Sequence, residues 1–382
     1  MTHILNWQDL TPATFLSQYW QKKPLIIKNA FQDFNDPIDA NDLAGLAMED
    51  FIESRIISKT DAKWDVNHGP FTDFSQFGEK NWTLLVQAVN NWFADVDALI
   101  KPFNFIPNWR IDDVMVSFST PGGGVGPHLD QYDVFILQGE GKRRWRVGKP
   151  DASLKQLLPH EDLKQVSDFI AEIDEITEPG DLLYIPPNHP HDGVAIDNSL
   201  NYSIGFQAPN PQELLGVIAD HLLDADLLGQ RMDDRKRQLT HKPHELEPND
   251  IKQLTEMVQN ALTDADMMTT CFAKYLTSVH HSLNLLVPVE PLDIDLIKQI
   301  FAEGEILEPV LGIKCLLVNQ NDNSALYING EKFELMTETL ELGQMLAQKM
   351  PLSAQSLEKQ LDCLKNQHLL TRVINKGFWC FE

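Results

Sequence analysis

Cysteine is scarce: Cys271, Cys315, Cys363 and Cys380 are the only 4 in 382 residues, and no two stand in a C-x-x-C spacing. That excludes a zinc ribbon and a dithiol redox motif, and it provides no disulfide framework. Positive charge is short too, with 31 Lys and Arg against 56 Asp and Glu, a formal net charge of -25. A surface so acidic repels phosphate, which argues against sequence-independent binding to nucleic acid or to an anionic membrane. Long apolar runs are missing, since 134–137 and 283–287 fall far below the length of a bilayer span. The first residues have neither a basic nor an apolar region of the secretory kind. A reduced, cytoplasmic setting is the expectation.

What is present is ordinary folded material, 43 % hydrophobic and 23 % charged. At roughly 150 residues per domain, the length suggests two or three domains, and composition places them at 1–208, 209–287 and 288–382. The first zone alternates short apolar runs with Gly, Pro, Asn and Asp turns and reads as strand-rich, with helical patches at 42–52 and 83–100. The second reads as helices with apolar stripes, Leu214, Leu215, Ile218 and Leu222 in one and Ile251, Leu254, Val258 and Leu262 in the other. A polar connection, 231–247, separates them. In the third zone a helix is followed by strands at 311–318 and 325–328, helices at 336–348 and 354–366, and a hairpin over 370–382 turning at 375–377. That order suggests a winged-helix-like unit. Its recognition-helix candidate, 354–366, has two Lys against one Glu and one Asp, which fails the basic-footprint test for nucleic acid.

The densest chemistry lies between Val114 and Phe206. Pro121-Gly-Gly-Gly-Val-Gly-Pro127 lacks both the Gly-Lys-Ser/Thr of a Walker loop and the G-x-G-x-x-G spacing, so as a sequence it reads equally as a mobile connection. His128-Leu129-Asp130 follows it. In an extended strand residues i and i+2 share a face, so His128 and Asp130 can offer a nitrogen and an oxygen ligand together. A second histidine, His191, comes 61 residues after Asp130, at the end of the apolar strand 182–185 and its proline-rich turn. Two histidines and one carboxylate with open positions form the facial triad of non-haem Fe(II) oxygenases. His189 shares the parity of His191 but reads better as a turn residue, as do His160 and His68 in their own loops.

An oxygenase of that class needs a dicarboxylic 2-oxo acid, whose far carboxylate needs a cation. In Gly141-Lys-Arg-Arg-Trp-Arg146, alternation puts Arg143 on one face with Trp145, leaving Lys142, Arg144 and Arg146 as a solvated edge. Arg143 is the expected anchor. On 113–119 the polar face carries Ser117 and Ser119, candidate donors to the same carboxylate, and Asn201 and Ser203 occupy a comparable face of 201–207.

With these residues in place the chain resembles the JmjC-domain hydroxylases, and within them the bacterial ribosomal oxygenases that hydroxylate an arginine of large-subunit ribosomal protein sixteen. The segments that carry the likeness are Trp109-Arg-Ile-Asp-Asp, the glycine-rich run through Phe135, Arg143-Arg-Trp-Arg-Val, Pro179-Gly-Asp, Tyr184-Ile-Pro-Pro and Asn201-Tyr-Ser-Ile-Gly-Phe. The resemblance implies an α+β chain: a double-stranded β-helix, the JmjC or cupin-like barrel, then a helical dimerisation region and a C-terminal winged-helix-like domain. It implies Fe(II) on His128, Asp130 and His191, 2-oxoglutarate on Arg143 near Ser117 and Ser119, and O2 as the second co-substrate. Succinate and CO2 are then released as a C–H bond is hydroxylated. A histidine, asparagine or methyl-lysine target would be compatible with the triad alone, whereas an intact triad together with Arg143 weighs against the alternative of a non-catalytic scaffold. The expected partners are a basic ribosomal protein and a second copy of the chain. Residues 151–200, with 11 acidic and 2 basic side chains, offer a rim to attract such a substrate.

Overall fold

The computed structural model describes residues 4–224, 231–235, 237–320 and 323–381. Helix α1 (Pro12–Gln18) starts where the Thr11 hydroxyl accepts the Thr14 N–H and Pro12 takes the first turn. Helix α2 (Ala40–Leu46) opens on a capping box between Asp39 and Asp42 and is shorter than the helix expected at 42–52. The strands of the first half are β1 (Leu25–Ile27), β2 (Ser54–Thr60), β3 (Lys63–His68), β4 (Trp82–Val86), β5 (Ile111–Ser119) and β6 (Asp133–Gln138). They continue as β7 (Arg143–Gly148), β8 (Gln156–His160), β9 (Leu163–Val166), β10 (Ala171–Thr177), β11 (Leu182–Ile185), β12 (His191–Ala195) and β13 (Ser199–Phe206).

An antiparallel sheet in the order β1-β11-β6-β13-β5-β4-β2-β3 faces a smaller one, β10-β7-β12, while β8 and β9 pair as a separate hairpin. This is the double-stranded β-helix. Alternation along β6 explains how the layers hold together. Val134 and Ile136 point at Trp145 and Val147 of the small sheet, and Phe135 and Leu137 point outward into an aromatic core beneath α1. The ring of Phe135 lies 4.6 Å from Phe103, 4.9 Å from Tyr184 and 5.6 Å from Phe206, centroid to centroid.

The helical patch expected at 83–100 is largely corrected. Trp82–Val86 is strand β4, buried along its whole length between β2 and β5. A strand covered on both faces loses the period of two that would reveal it. After it come only short turns and α3 (Ala94–Asp97).

Beyond β13 run α4 (Pro211–Asp224), α5 (Pro248–Ala261) and α6 (Ala265–Thr277), then a unit of α7 (Ile294–Ala302), β14 (Leu307–Pro309), β15 (Cys315–Gln320), β16 (Asn323–Ile328), β17 (Glu331–Leu335), α8 (Leu340–Ala347), α9 (Leu364–Asn375) and β18 (Trp379–Phe381). This last unit is the winged helix. Within the polar connection 231–247, Lys236 lies outside the described residues. The helix expected at 336–348 is α8, begun by a short turn at Thr337–Thr339, and the strand expected from 311 starts at Cys315. Among the described residues no hairpin closes the chain: Leu370, Val373 and Ile374 are the buried face of α9, Gly377 turns at φ +71, and β18 pairs with β14. Glu382 is outside the described residues. The helix in the recognition position is therefore α9, not 354–366. It carries Lys365 and Arg372 and no acidic residue, so the charge argument drawn from 354–366 does not apply to it. Lys365 is paired with Glu338, and Arg372 lies 4.8 Å over the Phe333 ring.

Truncating Phe135 removes the side chain on which five rings pack, those of Phe15, Trp20, Phe103, Tyr184 and Phe206. Phe135→Ala should destabilise the chain by about 3–5 kcal/mol, read as a lowered midpoint in urea unfolding.

Candidate active site

The glycine-rich segment is a packed crossing between the two sheets. The Gly122 N–H donates to the Ala195 carbonyl at 2.8 Å, and the Ala195 N–H returns to Gly123 at 2.9 Å. A Cβ on Gly123 would sit 2.2 Å from the Trp82 carbonyl oxygen, and one on Gly124 would sit 2.4 Å from that of Gly193. Close backbone approach, not mobility, is why this run is glycine.

His128 and Asp130 follow on irregular chain and not on a ladder strand as expected. His128 forms a single bridge to His191, each backbone N–H donating to the other's carbonyl at 3.0 Å. The Asn188 N–H donates to the Asp130 carbonyl at 2.7 Å, which holds the next turn. His128, Asp130 and His191 then each present a ligand atom within 4.8 Å of the other two. One Asp130 oxygen lies 3.4 Å from His191 Nε2 and 3.9 Å from His128 Nε2.

The outer nitrogens fix the tautomers. His128 Nδ1 is 2.9 Å from the Gly126 carbonyl, and His191 Nδ1 is 2.9 Å from that of His189. A carbonyl only accepts, so each Nδ1 carries a proton; on His128 that leaves Nε2 a lone pair toward the centre, while His191 Nε2 faces the Asp130 carboxylate. Burial and the neighbouring His191 bring His128 down to about 4, so it is neutral. Burial disfavours the Asp130 carboxylate, but the His191 hydrogen bond and both imidazoles hold it at about 2. Burial also opposes a charge on His191, and Asp130 outweighs it and raises the imidazole. The centre thus draws a cation, and this donor set fits Fe(II). His189 stands apart, with its Nδ1 3.1 Å from the Pro187 carbonyl. His160 and His68 lie at the Asp162 turn, away from the cluster.

Arg143, on the central strand of the small sheet, borders the same cavity of about 590 Å³. It is 5 % exposed, and one terminal nitrogen donates to the Ser119 hydroxyl. Ser119 is 2.9 Å from the Thr83 hydroxyl, so the serine is itself held. No carboxylate pairs with Arg143 among the described residues, its Nε has no acceptor, and burial brings the guanidinium down to about 10. Ser117 and Ser203 line the cavity, whereas Asn201 is tied to Gln138 at 2.9 Å. Lys142, Arg144 and Arg146 form outward ion pairs with Glu178, Asp174 and Asp168.

Those pairs take three of the 11 acidic side chains of 151–200 away from the rim expected there. Of that segment only Glu161 and Asp162 line the cavity as acids. The other acidic wall comes from the start of β5, where Asp112 and Asp113 border it. Asp113 is 8 % exposed, accepts the Ala88 N–H at 2.8 Å and lies 3.8 Å from His281 Nε2.

The JmjC domain family matches residues 98–214, and the ROXA-like winged helix matches 259–380. The ribosomal protein uL16 3-hydroxylase of Escherichia coli (strain K12) is 43 % identical over 378 residues, covering 99 % of this chain and 98 % of that protein. This chain is a JmjC ribosomal oxygenase. An X-ray structure of E. coli ycfD superposes with a TM-score of 0.91 at 42 % identity, covering 100 % of both chains. The E. coli ribosomal oxygenase YcfD in complex with cobalt and 2-oxoglutarate gives a TM-score of 0.88 at 40 % identity, over 100 % of this chain and 99 % of that one. The oxygenase is accordingly a 2-oxoglutarate-dependent dioxygenase, with Fe(II), 2-oxoglutarate and O2 as its cofactor and co-substrates.

Several residues at the oxygenase's cleft carried no signal as a sequence. Arg55 and Thr83 belong to strands whose partners are set by the sheet order, and His281 arrives from beyond α6. The paired histidines at 280–281 were visible, but no periodicity ties them to β5.

Burial first, then Asp112, pushes the Asp113 carboxyl up to about 6, against the pull of His281 and the Ala88 N–H. A carboxyl raised in the folded state binds its proton more readily folded than unfolded. Its contribution is therefore lost as pH rises from about 4 to about 6. Relative to the parent, Asp113→Asn should gain stability between about pH 4.5 and about pH 7, measured by urea unfolding at both. A difference that stays constant would count against the assignment.

Proposed function

We propose that the oxygenase hydroxylates an arginine side chain of large-subunit ribosomal protein uL16, using Fe(II), 2-oxoglutarate and O2. The observation that carries this reading is one cavity that pairs the His128, Asp130 and His191 donor set with a buried, uncompensated Arg143. The uL16 substrate follows from the relative 43 % identical over nearly the whole chain. The arginine follows from the outer wall, where Asp112, Asp113, Glu161 and Asp162 suit a cationic side chain.

His128, Asp130 and His191 would hold Fe(II) through two Nε2 atoms and a carboxylate oxygen. With the metal bound, the chemistry supplied is oxidative decarboxylation of 2-oxoglutarate to succinate and CO2, coupled to conversion of C–H to C–OH. Arg143 receives the distal carboxylate of 2-oxoglutarate, with Ser119 fixing the guanidinium and Ser117 beside it. A buried cation with no carboxylate of its own gains most from such a ligand. The wall of Val134, Ile136 and Trp145 keeps water from the reacting atoms.

We also assign residues 1–208 to the catalytic barrel, 209–287 to a helical dimerisation region and 288–382 to the winged-helix domain. The apolar stripes of the second region support a homodimer. Leu215 and Leu223 of α4, and Ile251, Leu254, Met257 and Val258 of α5, are exposed in the single chain. A cytoplasmic location agrees with a ribosomal substrate, and among the described residues no helix is long and apolar enough to cross a membrane.

Incubating the enzyme and both cofactors with uL16 peptides should add one oxygen atom to an arginine, read by tandem mass spectrometry. Arg143→Met should raise the KM for 2-oxoglutarate on the order of 100-fold. His128→Ala should abolish the visible charge-transfer band of the anaerobic Fe(II) and 2-oxoglutarate complex. Oxygen found only on histidine would move the target assignment, and absence of both band and turnover would remove the oxygenase reading of the site.

A further inference from the structure

One side chain of the winged-helix unit reaches the acidic wall of the cleft. Lys314 immediately precedes β15, in the unit whose core includes Ile313, Leu326 and Trp379. Its Nζ lies 3.1 Å from Asp112 Oδ1, and its side chain is only 11 % exposed. Asp112 belongs to the other unit, at the start of β5, and borders the cavity that contains His128 and Arg143. It also borders a cavity of about 340 Å³ between barrel and winged helix.

The reach of Lys314 is set by a fitted interface. Two residues earlier, Gly312 has φ +72, and a Cβ there would sit 1.8 Å from Asn91 Oδ1. Asn91 in turn donates to the Ser282 carbonyl at 3.0 Å. Lysine is among the side chains least often buried, so an ammonium held this far from water across a unit boundary is a specific arrangement. A surface pair would contribute little and tolerate many geometries.

The adjacent carboxylates are divided between different partners. Asp113 accepts the Ala88 N–H and faces His281, which also lies 3.6 Å from Glu53. Asp112 has Oδ1 engaged by Lys314, and Oδ2 has no hydrogen-bond partner among the described residues. We propose that Lys314 is a positioning residue for substrate: by holding Oδ1 of Asp112, it leaves Oδ2 as the free acceptor for the cationic side chain entering the cleft. The winged-helix unit thereby takes part in substrate selection. This rests on the reading of the acidic wall as the arginine site.

The test is steady-state hydroxylation by the full chain of a uL16 peptide containing the target arginine, with Fe(II) and saturating 2-oxoglutarate. Lys314→Met should raise the peptide KM about tenfold, the loss of one charge-assisted hydrogen bond, with kcat and the 2-oxoglutarate KM little moved. Lys314→Arg, which keeps charge and donor, should restore most of it. In an Asp112→Asn background, adding Lys314→Met should change the peptide KM no further. An unchanged or lowered KM in Lys314→Met, or an effect that adds in full to Asp112→Asn, overturns the proposal and leaves an interface ion pair. If Asp112→Asn itself fails to raise the peptide KM, the acidic-wall reading falls first, and the proposal with it. Should Lys314→Met not fold, Lys314→Gln carries the same comparison, and an unchanged peptide KM there overturns the proposal.

Discussion

The cleft depends on two backbone hydrogen bonds, the reciprocal pair between His128 and His191. They join an irregular loop to the first residue of β12, and the bonds between Gly122, Gly123 and Ala195 extend the same pairing. The loop behaves as a partial fourth member of the small sheet, on which Arg143 already lies. Without that bridge the two histidines would belong to separate elements, and the Asn188 N–H bond to the Asp130 carbonyl would be left to hold the loop beside them. A metal site needs ligand positions held tightly before the ion arrives, and here backbone pairing supplies the alignment that side chains alone would not.

Charge is layered along the cleft. Deep inside, Arg143 is a cation without a counter-ion among the described residues, and Asp130 is an anion shared by two imidazoles. Further out stand Asp112, Glu161 and Asp162. In low dielectric each uncompensated charge favours a ligand of opposite sign more strongly than it would in water. On the proposed reading, the layering would sort ligands by depth: a dicarboxylate toward Arg143, a metal at the centre, and a basic side chain at the mouth.

Much of this was legible where local geometry fixes the outcome. Alternation on β7 separated Arg143 from its solvated neighbours, and the spacing of His128 and Asp130 to His191 brought the donor set together. The extended conformation expected for His128 was too regular, because one bridge suffices where a ladder was anticipated. Elements covered on all sides hid themselves: β4 lost its alternation, and the β-branched end of α9 looked like strand. The acidic surplus of 151–200 could not be read as a rim, because Arg144, Arg146, Lys142 and Lys149 take four of its carboxylates outward. Lys314 and His281 reach the cleft from more than 160 residues downstream of Asp112 and Asp113, a distance over which no local pattern carries information.

The tight packing of Gly123 and Gly124 bears on traffic. With carbonyl oxygens of Trp82 and Gly193 occupying the space of any Cβ, that flank of the cleft has no room for a side chain at either position. The same cavity is also bordered by Asp112, Tyr132, Glu161 and Lys164. On the functional reading above, a small dicarboxylate and a protein side chain share one doorway, and the dicarboxylate has the deeper seat. On that reading the buried seat at Arg143 would have to be filled before a protein side chain occupies the more exposed carboxylates at the mouth.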